Sequence, residues 1–250
     1  MARDVIIACD FPSKERTLEF LDQFKDTRKP FVKIGMELFY AEGPSIVREI
    51  KMRGHKIFLD LKLHDIPNTV AGGMRSLSKL GVDMTNVHAS GGIKMMEAGL
   101  AGLTEGAASI SMHRSCDGGK SAPEQNAPVL IGVTQLTSTS QEMLNNELGI
   151  QGDINDVIIK YAENAKAAGL GGVVCSPLEA GLIHKACGDD FLTVTPGIRF
   201  EGGSADDQSR ITTPAKARIL GSDYIVIGRP ITQADDPVAA YQRACAEFLG

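Results

Sequence analysis

Short apolar runs alternate along the chain with longer segments in which apolar residues recur every three or four positions. Runs of four or five apolar residues closed by glycine or a polar residue predict β-strands, and the longer spacing predicts amphipathic helices. The pattern predicts eight strands, at residues 5–9, 31–35, 57–61, 84–88, 129–133, 172–175, 192–195 and 224–227. Helices are expected near residues 18–24, from 43–44, from 67, and at 91–103, 157–168, 177–187, 214–220 and 237–248.

Eight strands alternating with eight helices in 250 residues predict a single-domain α/β protein, a (β/α)8 TIM barrel spanning residues 1–250. The alternative is an open doubly wound sheet, which would need a glycine-rich first turn for a nucleotide. The turn after the first strand is Asp10-Phe11-Pro12-Ser13, so the barrel is favoured. From Thr104 to Pro128 the composition changes to Ser, Gly and Ala, which predicts a mobile surface loop at about 104–128.

Charge and cysteine content narrow the classes of partner. The formal net charge is -5 and the basic residues are scattered, so nucleic acid is not an expected partner, whereas a small anion could still meet a locally basic site. The five cysteines have no metal-ligand spacing, which predicts reduced thiols, no metal site and a cytoplasmic protein. No apolar run approaches the length of a membrane span.

Charged residues cluster where the third strand ends. Asp60 and Lys62 are two residues apart and so share a strand face, and burying opposite charges there is costly unless they are paired or used. Active sites of (β/α)8 barrels lie at the C-terminal ends of the strands. The polar residues expected there are Asp10, Lys33, Asp60, Lys62, Asp65, His88, Thr137, Arg199, Gly228 and Arg229. Carboxylates around the lysines would keep them protonated.

Several of these residues also have a structural interpretation. Asp10 is typical of a turn or helix cap, and Asp65 could satisfy free N–H groups of the next helix. For His88 we favour a hydrogen-bonded structural role over that of a base. Lys33 lies within an apolar strand and is harder to explain without a charged partner.

The last two strands indicate a phosphate site. Loops after strands seven and eight often bind phosphate in such barrels, and Gly228-Arg229 combines an open backbone with a guanidinium. The glycine-containing loop at 199–208 could close over a bound phosphate, although an ordinary surface loop explains its composition equally well.

With these residues in view, the chain resembles the type 1 orotidine 5'-monophosphate decarboxylase family along nearly its whole length. The most specific element is Asp60-x-Lys62-x-x-Asp65 followed by Ile66-Pro67-Asn68-Thr69-Val70. Support comes from residues 31–37, 136–138 and 195–199, from Gln208 and from Gly228-Arg229. The resemblance implies cofactor-free decarboxylation of orotidine 5'-monophosphate to uridine 5'-monophosphate in de novo pyrimidine synthesis, by a homodimer with shared active sites.

The resemblance also implies a role for each matching residue. Lys62 would donate a proton to C6 of the pyrimidine, and Asp60 would lie against the scissile carboxylate. Lys33 and Asp65 would complete the charged array. The other implied substrate contacts are Asp10 and Lys33 to ribose hydroxyls, Asp65 and Thr69 across the dimer, Thr137 to the pyrimidine edge, and Arg199, Gln208, Gly228 and Arg229 at the phosphate end and the closing loop.

Two other functions stay open on the residues alone. The first is a sugar-phosphate lyase or aldolase, in which Lys62 forms a Schiff base or the carboxylates hold Mg²⁺. The second is a barrel that binds a phosphate ligand without catalysis, for which the charged array would have no purpose.

Overall fold

Eight parallel strands pair in chain order, and the last pairs with the first to close a barrel. The computed structural model describes residues 3–116, 128–202 and 212–250. The strands are β1 Asp4–Ala8, β2 Phe31–Ile34, β3 Ile57–Leu63, β4 Met84–His88, β5 Val129–Val133, β6 Gly172–Val174, β7 Leu192–Thr195 and β8 Tyr224–Ile227. The predicted (β/α)8 barrel is confirmed.

The helices pack around the outside of this barrel. They are α1 Lys14–Asp22, α2 Met36–Glu42, α3 Pro44–Met52, α4 Pro67–Ser78, α5 Ile93–Cys116, α6 Ile154–Ala167, α7 Ala180–Cys187, α8 Pro214–Ile219, α9 Arg229–Thr232 and α10 Pro237–Leu249. Where one helix was expected after β2 there are two, because Gly43 turns the chain with a φ of 64° and Pro44 starts the second. Within the described residues, no helix has both the length and the apolar character needed to cross a bilayer.

Alternation along the strands separates two apolar cores. Outward residues such as Ile7, Val32 and Leu59 pack beneath the helices. Inward residues form a separate core inside the barrel, composed of Ile6, Ala8, Phe31, Phe58, Met84, Ile131, Val194 and Val226. This inner layer fills the barrel, as expected for a structure of this kind.

Polar side chains follow the inner layer at the C-terminal end of the barrel. Each lies two residues beyond an inner-layer residue, so the period of the strand carries it onto the same face. Phe31 is thus followed by Lys33, and Phe58 by Asp60. The polar residues related in this way are Asp10, Lys33, Asp60 and Asn86, and Gly228 occupies the equivalent position after β8. The apolar layer therefore underlies a polar one at the barrel mouth.

The prediction of a surface loop beginning at Thr104 is wrong for residues 104–116, because α5 continues through them. The small residues there allow close packing against α4. A Cβ added at Gly102 would meet the carbonyl oxygen of Ala71, and one added at Gly106 would meet the Ser78 hydroxyl. Gly102 and Gly106 therefore serve a helix contact. Residues 117–127 of the predicted loop lie outside the described residues.

Candidate active site

The end of β3 departs from regular strand geometry. Its register against β4 runs from Leu59 opposite Thr85 to Leu63 opposite Val87, so β3 has two more residues in between. Lys62 in this bulge has a φ of 51°, and it is the one non-glycine residue with positive φ in the described ranges. Such a conformation is uncommon for a residue with a side chain and points to a local constraint.

Asp60 and Lys62 project into the same site, as the sequence predicts. Asp60 is 8% exposed, and its Oδ1 lies 2.7 Å from the Lys62 ammonium. Its Oδ2 lies 3.6 Å from the ammonium of Lys33. Lys33 also donates to Oδ1 of Asp10 at 2.9 Å. Four charges therefore alternate in sign across three adjacent strands: Asp10, Lys33, Asp60 and Lys62.

Gly35 makes room for this array. A Cβ at this position would lie 2.9 Å from the Asp10 carboxylate and 3.3 Å from the Lys33 ammonium. The first is closer than real Cβ contacts allow, so a side chain here would displace the ion pair. The sequence contains Gly35 within a matching segment, but nothing in the spacing alone indicates this steric role.

Neighbouring opposite charges keep two members of the array, Asp60 and Lys33, ionised. Burial tends to raise the pKa of Asp60, but Lys33 and Lys62, with hydrogen bonds from Lys62 and Asn86, bring that pKa below its ordinary value. Burial tends to lower the pKa of Lys33, and the carboxylates of Asp10 and Asp60 bring it above the ordinary value. Both groups are therefore charged at neutral pH.

Asp65 and Thr69 lie apart from the array, on the surface at the start of α4. Both residues are exposed. The Asp65 carboxylate accepts a hydrogen bond from the backbone N–H of Ile66 at 2.6 Å, directly before α4. This contact resembles the helix-start role that the sequence also allows. Asp65 therefore does not complete the charged array within one chain, and its expected role requires a second subunit.

Two histidines at the C-terminal end of the barrel, His64 and His88, contact each other. The rings of His64 and His88 lie 5.6 Å apart between centroids, tilted by 38°. Burial lowers the pKa of His88, and the nearby His64 and Lys62 lower it further. His88 is therefore neutral at physiological pH, which is consistent with a structural role.

A cavity of about 700 Å³ opens beside the array, towards β7 and β8. Asp10 and Lys33 line one side, and the other side is lined by Arg199, Gly228 and Arg229. The structure thus brings together the residues expected at the ribose and at the phosphate. Arg199 is 8% exposed and its Nη1 donates to the carbonyl of Ile198 at 2.9 Å.

The segment after Arg199 is closed at its base by a bridge between Ile198 and Thr212. The Arg199 N–H donates to the Thr212 carbonyl at 2.9 Å. Gln208 and most of the expected closing loop lie outside the described residues. Thr137 is half-buried on the loop after β5, and it is not among the residues lining the cavity.

Some residues at this mouth were not predicted. Arg16, Thr232 and Gln233 line the cavity, and Asn86 is hydrogen-bonded to the array. The signal that singled out Lys33 does not single out Asn86, because β4 also contains Thr85 and His88. In the part of the chain that the structure describes, no group of three or more His, Cys, Asp or Glu side chains is arranged to hold a metal ion.

Fold and site together define a (β/α)8-barrel protein with an array of alternating charges around a buried aspartate, next to an arginine-lined cavity. The family described as "Orotidine 5'-phosphate decarboxylase / HUMPS family" matches residues 3–244. The chain belongs to this family, and the resemblance inferred from the sequence is confirmed.

Individual relatives agree with this assignment. Orotidine 5'-phosphate decarboxylase of Bacillus cytotoxicus is 50% identical over 250 residues, covering 100% of this chain and 99% of the relative. The Staphylococcus aureus protein of the same name is 53% identical over 244 residues, covering 98% and 97%. The crystal structure of orotidine 5'-phosphate decarboxylase from Lactobacillus acidophilus has a TM-score of 0.84 at 41% identity, covering 99% of this chain and 100% of the other. These names are those of a carboxy-lyase, the enzyme class expected from the sequence, and they favour neither alternative function.

Proposed function

We propose that this protein decarboxylates orotidine 5'-monophosphate to uridine 5'-monophosphate, without a cofactor, in pyrimidine nucleotide synthesis. The observation that carries the proposal is the array of alternating charges formed by Asp10, Lys33, Asp60 and Lys62, centred on the buried Asp60 and lying beside the arginine-lined cavity. An enzyme of this reaction needs a cation at the reacting carbon and a separate site for the phosphate. The names of the relatives support the same substrate.

The chemical step needs a proton at the carbon that loses the carboxylate. The bond between C6 and the carboxylate carbon breaks, CO₂ leaves, and the electron pair stays on C6 in an orbital that the ring cannot delocalise. The Lys62 ammonium stabilises this pair and then gives it a proton. The side chain of Lys62 is 24% exposed, so water can restore the proton after turnover.

Asp60 has two functions in this proposal. Its carboxylate orients the Lys62 ammonium through the 2.7 Å contact. It would also lie near the substrate carboxylate and disfavour the bound ground state. Because enzymes remove about 8–23 kcal/mol from such barriers, neither contact suffices alone. Phosphate binding by Arg199 and Arg229 would contribute through interactions that strengthen in the transition state.

We further propose a homodimer in which Asp65 and Thr69 complete the neighbour's site. The support is that Asp65 is exposed just past the strand that bears the array, and that the adjacent Ile66 is 67% exposed. A second subunit that covered this position would also remove the Ile66 side chain from water. We also propose a cytoplasmic location, since Cys9, Cys175 and Cys187 are free thiols, as in reducing compartments.

One assay tests the reaction directly. Purified protein is mixed with orotidine 5'-monophosphate in the presence of EDTA, and the ultraviolet absorbance change and CO₂ release are followed. Turnover to uridine 5'-monophosphate supports the proposal. Binding of uridine 5'-monophosphate without CO₂ release would instead support a binding protein. Activity that EDTA abolishes, or borohydride trapping of a substrate on Lys62, would indicate the lyase or aldolase.

A further inference from the structure

Asn86 is a fully buried polar residue that the reaction described above does not use. It lies in the middle of β4 and is 0% exposed. Asn86 lies two residues after Met84 of the inner apolar layer and shares its strand face. A barrel strand more often has an aliphatic residue at such a position. A buried amide is retained at low cost only when its donor and acceptor are both satisfied.

Both ends of the Asn86 amide contact the reacting pair. Its Oδ1 accepts a hydrogen bond from the backbone N–H of Lys62 at 2.8 Å. Its Nδ2 donates to Oδ1 of Asp60 at 2.7 Å. The chemistry determines the orientation of the amide, because a backbone N–H can only donate and a carboxylate can only accept. The Asp60 oxygen that accepts from Asn86 is the one that lies 2.7 Å from the Lys62 ammonium.

The backbone contact coincides with the unusual conformation of Lys62. Lys62 has a φ of 51°, in a bulge where β3 has two more residues than β4. A residue with a Cβ persists in that region only when its surroundings constrain it. The Asn86 side-chain oxygen provides such a constraint, because it binds the backbone N–H of Lys62, the group next to the φ bond.

We propose that Asn86 is a positioning residue, which holds Lys62 in its left-handed conformation and orients Asp60 so that ammonium and carboxylate keep one fixed geometry. The effect of Asn86 on kcat rests on the proposed decarboxylation, whereas its effect on the conformation of Lys62 does not. Asn86 itself does not touch the substrate in this proposal. It acts through Lys62 and Asp60.

The first test compares three variants by kinetics. Asn86→Leu removes both hydrogen bonds at similar volume, and we expect kcat to fall about 100-fold, the loss typical of a 1 Å misplacement of a catalytic group. Asn86→Asp keeps the acceptor for Lys62 but places a second carboxylate against Asp60, and we expect kcat to fall about tenfold or more. KM should change less than about threefold in both, because ribose and phosphate contacts lie elsewhere.

Thr85→Val is the matched control. Thr85 is also 0% exposed and also bonds across the β3–β4 pair, since its hydroxyl donates to the Leu59 carbonyl at 2.9 Å. It lies on the opposite strand face, so its loss should lower stability without lowering kcat. If Thr85→Val reduces kcat as much as Asn86→Leu does, Asn86 has only a structural role and the proposal is overturned.

The second test does not depend on activity. In a crystal structure of Asn86→Leu, we expect Lys62 to leave its positive φ and its ammonium to move away from Asp60. If Lys62 keeps the wild-type conformation and the 2.7 Å contact, the proposal fails even if the protein is an active decarboxylase. If wild-type protein does not decarboxylate the substrate, the proposed function fails while this structural test still decides the role of Asn86. Should Asn86→Leu not fold, Asn86→Asp decides by the position of Asp60, which we expect to move away from residue 86.

Discussion

Replacing Lys33 with methionine removes one of the two cations on the Asp60 carboxylate while keeping most of the side-chain length. Lys33→Met also loses the 2.9 Å pair with Asp10, whose side chain is 53% exposed. The more buried of the two lost contacts is the one to Asp60, which is 3.6 Å long between side chains 12% and 11% exposed. At this distance and an effective dielectric constant of about 20, the gross attraction is about 4–5 kcal/mol. Lys62 and Asn86 still contact Asp60, and the desolvation of Lys33 is relieved, so we expect a net loss of about 3 kcal/mol in the free energy of unfolding.

The loss depends on pH in a defined direction. The pKa of Asp60 is depressed in the folded protein, so its contribution to stability is present above its unfolded pKa and is lost as pH falls through the folded value. Without Lys33 the pKa of Asp60 rises, so the variant takes up a proton there before the wild type does. The difference between the two proteins should therefore narrow as pH falls below about 4, the ordinary pKa of an aspartate. The pKa of Lys33 is raised, so its own contribution is complete at neutral pH and is lost only as pH rises through the folded value, above 10.5.

Urea titrations followed by circular dichroism measure the loss in the free energy of unfolding, with Lys51→Met as the control. Lys51 pairs with Asp83 at a shorter distance, 2.8 Å, but those side chains are 26% and 29% exposed, near the start of β4. We expect that control to lose less than about 1 kcal/mol at pH 7. The reasoning is refuted if Lys33→Met loses no more free energy of unfolding than Lys51→Met, or if its loss is the same at pH 7 as at about pH 3.

Three further predictions concern catalysis, assembly and packing. Lys62→Ala should lower kcat at least about 1000-fold while uridine 5'-monophosphate, measured by calorimetry, still binds. An equal mixture of Lys62→Ala and Asp65→Ala subunits should recover about a quarter of wild-type activity, since half of the random dimers would have one intact site. Gly172→Ala should lower the free energy of unfolding by about 2–3 kcal/mol, because the added Cβ would meet the backbone and Cβ of Leu192 in the adjacent strand. Gly72→Ala, with nothing within 4 Å of the added Cβ, should raise it by about 0.5–1 kcal/mol.

Each of these three has an outcome that would contradict it. Wild-type-like turnover by Lys62→Ala would exclude that side chain as the proton donor. Mixed dimers with no activity, once mass spectrometry confirms that subunits exchange, would argue against a shared site. Equal stabilities of Gly172→Ala and Gly72→Ala by urea titration would mean that the strands separate easily enough to accept a methyl group.

The barrel and its strand faces could be predicted because both depend on local periodicity. The spacing that placed Asp60 and Lys62 on one face depends on Cβ direction alone, and the structure retains it across the bulge. Lys33 could be singled out because a charge within an apolar strand requires a partner. That partner could be expected among the residues of neighbouring strands, where Asp10 and Asp60 are found.

Other features depend on contacts between distant segments. Asn86 reaches Lys62 only because of the register between β3 and β4, which the sequence of neither strand specifies. The extension of α5 depends on close packing against α4, and glycine is a poor helix former when considered alone. The role of Asp65 depends on a second chain, so neither the sequence pattern nor a single subunit determines it.

The alternation of strand faces also limits how the length of this chain can change. Deleting one residue between Ile57 and Leu59 would turn Asp60 from the barrel mouth towards the helices, because a shift by one residue exchanges the two faces. The same deletion in the turn before β3 would leave both faces in place. Insertions and deletions should therefore be tolerated in the turns at the N-terminal end of the barrel, but not within the strands that bear the charge array. The charge array therefore depends on the number of residues in each strand as well as on their identity.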